Sequence, residues 1–191
     1  MLRPATDADA DRVRIWRNHP EVRRVSLTRH EISEAEHFAW WARVAADPTR
    51  LVLLYERGGE PSGVVTFFDL DPEGSEQRTG WWGYYLDNAG LEARGELLPA
   101  WIQIQREAVR YADDALGLAE LHGEVLGINE AVRRLNRRNG FAEVGSDVRD
   151  LDGEQVEVFR VVRRRGGTAA TTDQPVDPAA AADRTPGGEP Q

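Results

Sequence analysis

The chain contains no cysteine, which excludes disulfides, thiolate-bound zinc and a cysteine nucleophile. Histidine is scarce too, and His19, His30, His37 and His122 show no HExxH-type spacing, so no metal is expected. No apolar run is long enough to cross a bilayer, which speaks against a membrane partner. The amino terminus, MLRPATDADAD, is acidic and lacks an apolar signal segment, so a cytoplasmic location is expected. Positive charge is in deficit: 24 Lys and Arg stand against 33 Asp and Glu, for a net charge of −9. That balance argues against nucleic acid as a partner, which requires a basic footprint, and leaves a local basic pocket open.

What is present fits one globular domain with a real core, since 40% of the 191 residues are hydrophobic and 30% are charged. From Gly166 onward the composition turns to Gly, Ala, Thr, Pro and Asp without apolar periodicity. Such a segment cannot bury enough surface to offset its ordering entropy. The expected division is therefore a domain over residues 1–165 and a disordered low-complexity tail over 166–191.

Residues 2–5 read as a short edge strand, with Pro4 where an edge tolerates it. Thr6 and Asp9 resemble a capping box opening a helix through about Asn18, with Val13 and Trp16 inward. Pro20 ends that helix or restarts a short one. Ser33 and Glu36 form a second capping box, and residues 34–46 predict a helix with Phe38, Trp41 and Ala45 on one face. RLVLLYER (50–57), a GGEPSG turn and GVVTFFDL (63–70) read as a hairpin. Further on, Leu121–Leu126 is a strand and Asn129–Asn139 a helix; residues 142–150 and 154–163 are strands joined by a turn at Asp152-Gly153.

The centre of the chain is the stretch Thr79–Tyr111. Trp81, Trp82, Tyr84, Tyr85 and Leu86 suit a buried strand. Leu97, Trp101, Ile104, Ala108 and Ala112 mark the apolar stripe of a long helix with Pro99 in its first turn. Between them NAGLEARGE reads as a loop, and Gly90 and Gly95 permit backbone shapes other residues resist. A strand feeding a loop into a helix amino end directs free N–H groups and partial positive charge at one spot, which suits a phosphate. The fold class that results is mixed α/β (α+β): a mostly antiparallel central sheet of about seven strands flanked by about four helices.

That order, with WRNHPEVRR, HEISEAEHFAWW, GYYLDNAGLEARGE and LHGEVLGINEAVRRLNRRNGF as its best local pieces, resembles the GNAT acetyltransferase superfamily over about residues 1–163. The first two pieces are most similar to acetyltransferases of amino sugars carried on a nucleotide, as in pseudaminic-acid-type pathways. They also resemble acetyltransferases of ribosomal-protein amino termini and of aminoglycosides. The chain departs from the family in three places, the tail, which has no family counterpart, being one of them. GLEARG lacks the leading Gln or Arg of the loop signature, and Asn136 stands where many members carry a Tyr that protonates the departing thiolate.

The resemblance implies acetyl-CoA as co-substrate, a primary amine on a small molecule (a sugar nucleotide first) as acceptor, and direct attack without a covalent enzyme intermediate. It is compatible with a homodimer. The diphosphate would rest on backbone N–H groups of residues 91–96, Leu91, Gly95 and Glu96 included, with Arg94 adding charge. The pantetheine arm would lie along Tyr85, Leu86 and Asp87 like a further strand, near Asn129 and Asn136. Glu124 is the candidate general base, acting through a water; solvent exposure or pairing with an arginine is its plain alternative. Tyr84 is the candidate acid, or a pocket-wall tyrosine. On the acceptor side His30, Glu31, Trp40 and Trp41 could stack on or bond a sugar or base, and Arg17 could meet a phosphate; at least one of the tryptophans would be core. A GNAT-shaped module that binds acyl-CoA without turnover is the reading from another class.

Overall fold

The computed structural model describes residues 1–166, so the expected tail lies outside the described residues beyond Gly166. Seven strands form one sheet: β1 (Leu2–Pro4), β2 (Leu51–Arg57), β3 (Glu60–Phe68), β4 (Thr79–Leu86), β5 (Glu120–Leu126), β6 (Ala142–Leu151) and β7 (Glu154–Arg164). Their spatial order is β1-β2-β3-β4-β5-β7-β6, antiparallel throughout except for β4 and β5. The helices are α1 (Ala10–Arg17), α2 (Pro20–Arg24), α3 (Glu34–Ala46), α4 (Asn88–Ala93), α5 (Leu97–Asp114) and α6 (Glu130–Arg138).

Local chemistry sets most of these boundaries. Asp9 turns its carboxylate back to the Thr6 N–H and hydroxyl and also takes both arms of Arg3, which ties β1 to the start of α1. Ser33 Oγ accepts the Glu36 N–H at the start of α3, and Asn129 Oδ1 accepts the Val132 N–H at the start of α6. The β6–β7 turn is Asp152-Gly153, both at positive φ, as a two-residue hairpin of this twist requires.

Four expectations are corrected. Six α-helices are present among the described residues rather than about four, because Pro20 opens α2 and part of the expected NAGLEARGE loop is the helix α4. Asp87 accepts the Gly90 N–H and thereby caps that extra helix. The β2–β3 turn is only Gly58-Gly59, and β3 begins at Glu60, with a register shift after Tyr55 absorbing the extra residue. On α3 the inward face is His37, Trp40 and Val44, while Phe38 and Ala45 are exposed. His37 can be buried there because its ring nitrogen meets the Ala10 carbonyl at 2.8 Å.

The helices cover both faces of the sheet. On one, Ala100, Ile104, Ala108 and Ala112 of α5 pack on Leu53, Val65, Phe67, Trp82 and Leu121. On the other, Val13 and Trp16 of α1, with Trp41 of α3, pack on Leu54 and Val64. Asn18 exchanges two 2.8 Å hydrogen bonds with Ile32, which pins the α2–α3 connection over that second face. Among the described residues no helix is long and apolar enough to cross a membrane.

The feature that makes a site is a fork. β4 and β5 pair in parallel only at Thr79–Glu120, Gly80–Leu121 and Trp81–His122. Beyond that point the strands part. Trp82 stacks on Tyr84 and Phe141, with ring centres 5.2 and 5.5 Å away, and its indole stands against Gly123. A Cβ on Gly123 would come within 3.2 Å of the indole nitrogen, so the close approach of ring and strand depends on glycine there.

Candidate active site

A cavity of about 540 Å³ opens in the fork, within the usual size of a small-molecule site. β4 contributes Trp82 to Leu86 and β5 contributes Gly123 to Leu126. Leu97 and Trp101 of α5 and Asn129 and Asn136 of α6 close one side. Val22, Val25, Leu27 and Trp40 close the other. Because side chains alternate along a strand, Tyr84 and Tyr85 diverge: Tyr84 packs with the α5 face and Tyr85 with the α1 face.

The Tyr84 hydroxyl is buried without a hydrogen-bond partner among the described residues, and burial pushes its pKa well above the usual phenol value. It is therefore neutral at physiological pH, with an unused O–H at the cavity wall. Burial raises the Tyr85 phenol as well, and the nearby Arg17 charge partly offsets the shift. The Trp40 indole N–H is likewise buried and unpartnered.

Glu124 lies on the cavity wall and is bound by the fork of Arg149: Nη1 donates to Oε2 at 2.9 Å and Nη2 donates to Oε1. The same guanidinium donates from Nε to Asp147 at 2.7 Å. The bond to Glu124 is the largest influence holding the Arg149 pKa above its ordinary value. Two carboxylates share one cation, so the cluster keeps a negative surplus. The pairing that stood as the plain alternative for Glu124 is thus present, on a residue that still faces the cavity.

Asn136 reaches the cavity from α6, and its Oδ1 accepts from Gln105 Nε2. Gln105 Oε1 in turn accepts from Asn139 Nδ2. Asn129 is both a wall residue and the cap of α6.

Of the residues singled out in the sequence, the cavity gathers Tyr84, Tyr85, Leu86 and Glu124 with Asn129, Asn136 and Trp40. The others stand outside its lining. Leu91 is fully buried in the α5 core, and its N–H donates to the Asp87 carbonyl. Gly95 has φ +69°, a left-handed turn that joins α4 to α5, and its N–H donates to Glu92. The Glu96 N–H donates to Leu91, so three of the amides assigned to a diphosphate are already used. Leu97 and Leu98, as the first residues of α5, have N–H groups with no intrahelical acceptor. Arg94 is exposed beside Glu96, 3.3 Å away.

Arg17 is 2% exposed and donates from Nη2 to the Thr28 carbonyl. Its Nε and Nη1 have no acceptor among the described residues, and burial lowers its pKa to about 10. His30 is exposed and pairs with Glu36 at 3.0 Å, while exposed Glu31 lies 4.0 Å from Arg23. Trp41 donates its indole N–H to Asp7 at 3.0 Å.

Two residues of consequence escaped the sequence reading. Arg149 carries no local signal, since its partner is 25 positions away. Gln105 carries one: it is a polar side chain four residues after Trp101 and three before Ala108, on a stripe where an apolar residue is expected.

A sheet parted between two parallel strands, with a cavity at the fork and the amino end of a long helix beside it, is the architecture of an N-acetyltransferase. The chain belongs to the acetyltransferase (GNAT) domain family, which residues 1–142 match. Enzymes of this family use acetyl-CoA. Among curated proteins none matches the sequence. Among solved structures the chain is similar to the spermidine N-acetyltransferase of Vibrio cholerae, seen in complex with CoA and spermine, at 17% identity and a TM-score of 0.72; the match covers 86% of this chain and 94% of that one. A candidate phosphinothricin N-acetyltransferase matches at 21% identity and a TM-score of 0.69, covering 86% and 97%. A GNAT acetyltransferase of Streptococcus pneumoniae matches at 20% identity and 0.62, covering 86% and 98%. These likenesses establish the fold.

Proposed function

We propose that the protein transfers the acetyl group of acetyl-CoA to a small, cationic primary amine held at the β4–β5 fork. The observation that carries the acceptor class is the charge of the wall. Glu21, Glu92, Glu124 and Glu130 line it, and Arg24 is the one cationic side chain among its lining residues. Arg24 is tied to Glu21 at 2.9 Å, Arg134 to Glu130 at 3.2 Å, and Arg149 is divided between Glu124 and Asp147, so the surplus negative charge rests on Glu92 and the Glu124–Asp147 cluster. An ammonium is attracted to such carboxylates.

The chain's own groups fit the acyl donor. The amides of Leu97 and Leu98, at the positive end of α5, suit the diphosphate. Past Trp81 the β5-facing edge of β4 has no strand beside it among the described residues, so its backbone offers hydrogen bonds to an amide-bearing arm. Bound acetyl-CoA supplies the acetyl group as a reactive thioester. Glu124 holds the incoming ammonium and takes its proton through a water, and Tyr84 offers its unused O–H to an acceptor atom.

The amino-sugar-nucleotide reading has less support. Its candidate phosphate contact, Arg17, is buried on Thr28, and the neighbouring Arg23 and Arg24 are taken by the Arg29 carbonyl and by Glu21. A thiol-release assay with acetyl-CoA against diamines and polyamines, free amino sugars, peptide amino termini and amino-sugar nucleotides tests the proposal. Highest kcat/KM on a di- or polycation is expected. Preference for the nucleotide sugar would overturn the acceptor class, and CoA binding without turnover on any amine would leave the binding module.

A further inference from the structure

We propose that Gln105 is a positioning residue that fixes Asn136 as a neutral hydrogen-bond donor to the arm of CoA. The inference rests on the acetyl-CoA reading above and adds a residue to its donor site.

The polarity of the contact follows from one backbone carbonyl. The Leu135 carbonyl can only accept, so the side-chain atom of Asn139 lying 3.1 Å from it is the donor, Nδ2. That same Nδ2 meets Gln105, which must present Oε1. Gln105 then has its donor, Nε2, at the opposite end, against Asn136, which must present Oδ1. The Asn136 Nδ2 is thereby directed away from Gln105, on a residue that lines the cavity. A relay of three amides, anchored on a helix carbonyl, decides which end of Asn136 is available to a ligand.

Packing alone does not account for Gln105. It is fully buried on α5 between Trp101 and Ala108, where leucine would fill the same stripe without desolvating an amide. Both of its ends are satisfied within the protein, so its polar groups serve the orientation of Asn136 and not a ligand directly. The donor it fixes does not titrate. It can therefore bond a carbonyl oxygen or the sulfur of the pantetheine arm at any physiological pH.

The test is CoA affinity by calorimetry with the full chain. Asn136→Ala is expected to weaken CoA about tenfold, the scale of one lost hydrogen bond. Gln105→Met, which leaves Asn136 free to turn, is expected to weaken it about threefold to tenfold, and to add nothing in the Asn136→Ala background. Gln105→Glu gives a signature that a packing role would not. Protonated, the introduced carboxyl donates as Gln105 does; ionised, it accepts at both ends and turns the Asn136 oxygen to the cavity. Its affinity deficit relative to wild type should therefore grow as pH rises. If Gln105→Glu fails to fold, as judged by thermal melting, Gln105→Met and the double variant carry the test. Wild-type affinity in folded Gln105→Met, or an equal loss with and without Asn136, would overturn the inference. A wild-type protein that binds no CoA would instead overturn the acetyl-CoA reading itself.

Discussion

Glu124 and Arg149 face each other as two parallel hydrogen bonds on the cavity wall, with Arg149 Nη1 2.9 Å from Glu124 Oε2. The pair keeps the carboxylate oriented, and Asp147 shares the same guanidinium. Replacing Glu124 by Gln should lower kcat about a hundredfold, at the low end for a positioned proton acceptor, with CoA affinity unchanged. Steady-state kinetics beside calorimetry decide it; full turnover in Glu124→Gln removes the base assignment.

Arg149→Met strands that carboxylate. Breaking a fully buried pair costs about 3–5 kcal/mol, and here the guanidinium is 31% exposed, so a loss of about 1–2 kcal/mol is expected. Chemical denaturation would show it as a lower midpoint with an unchanged slope. A stability equal to wild type would mean that water already serves the carboxylate.

Tyr84→Phe should separate stability from activity. Its hydroxyl is buried without a partner, so deleting it is expected to stabilise the protein by about 1 kcal/mol. If that hydroxyl serves the bound ligand, kcat/KM falls about tenfold in the same variant, the scale of one such bond. Activity that holds while stability rises would reduce Tyr84 to a wall residue.

Asp9 makes stability pH-dependent in a window far below neutrality. Its bonds from Arg3 bring its pKa down to about 2 from the ordinary 3.8. A carboxylate with a depressed native pKa stabilises fully above the ordinary value and loses that contribution as pH falls through the native one. The difference amounts to about 2 kcal/mol at neutral pH. Denaturation of wild type and Asp9→Asn should show curves that converge between about pH 4 and pH 2. Parallel curves would count against it.

Much of the fold was legible because its signals are local. Ser33, Asn129 and the pair Asp152-Gly153 announce a helix start, another helix start and a hairpin turn, whatever lies across the sheet. The face of α3 was not legible. Phe38 outweighs His37 in any count of apolar residues, yet His37 goes inward because the Ala10 carbonyl waits 27 positions away in the chain. Helix α4 was missed although its cap is local: the glycines of NAGLEARGE read as a loop and outweighed Asp87, which accepts the Gly90 N–H three positions on.

For the site, the order of residues along the chain determined most of the strands and helices and that Tyr84, Glu124, Asn129 and Asn136 fall near one end of them, since spacing and capping act within a few residues. It could not say where the strands part, because that depends on Trp82 stacking on Phe141, 59 positions on, against the bare backbone of Gly123. Nor could it assign Arg149 to Glu124 or Gln105 to Asn136. Those pairings join distant segments through directional bonds a few ångströms long, and only the folded sheet brings their ends within reach.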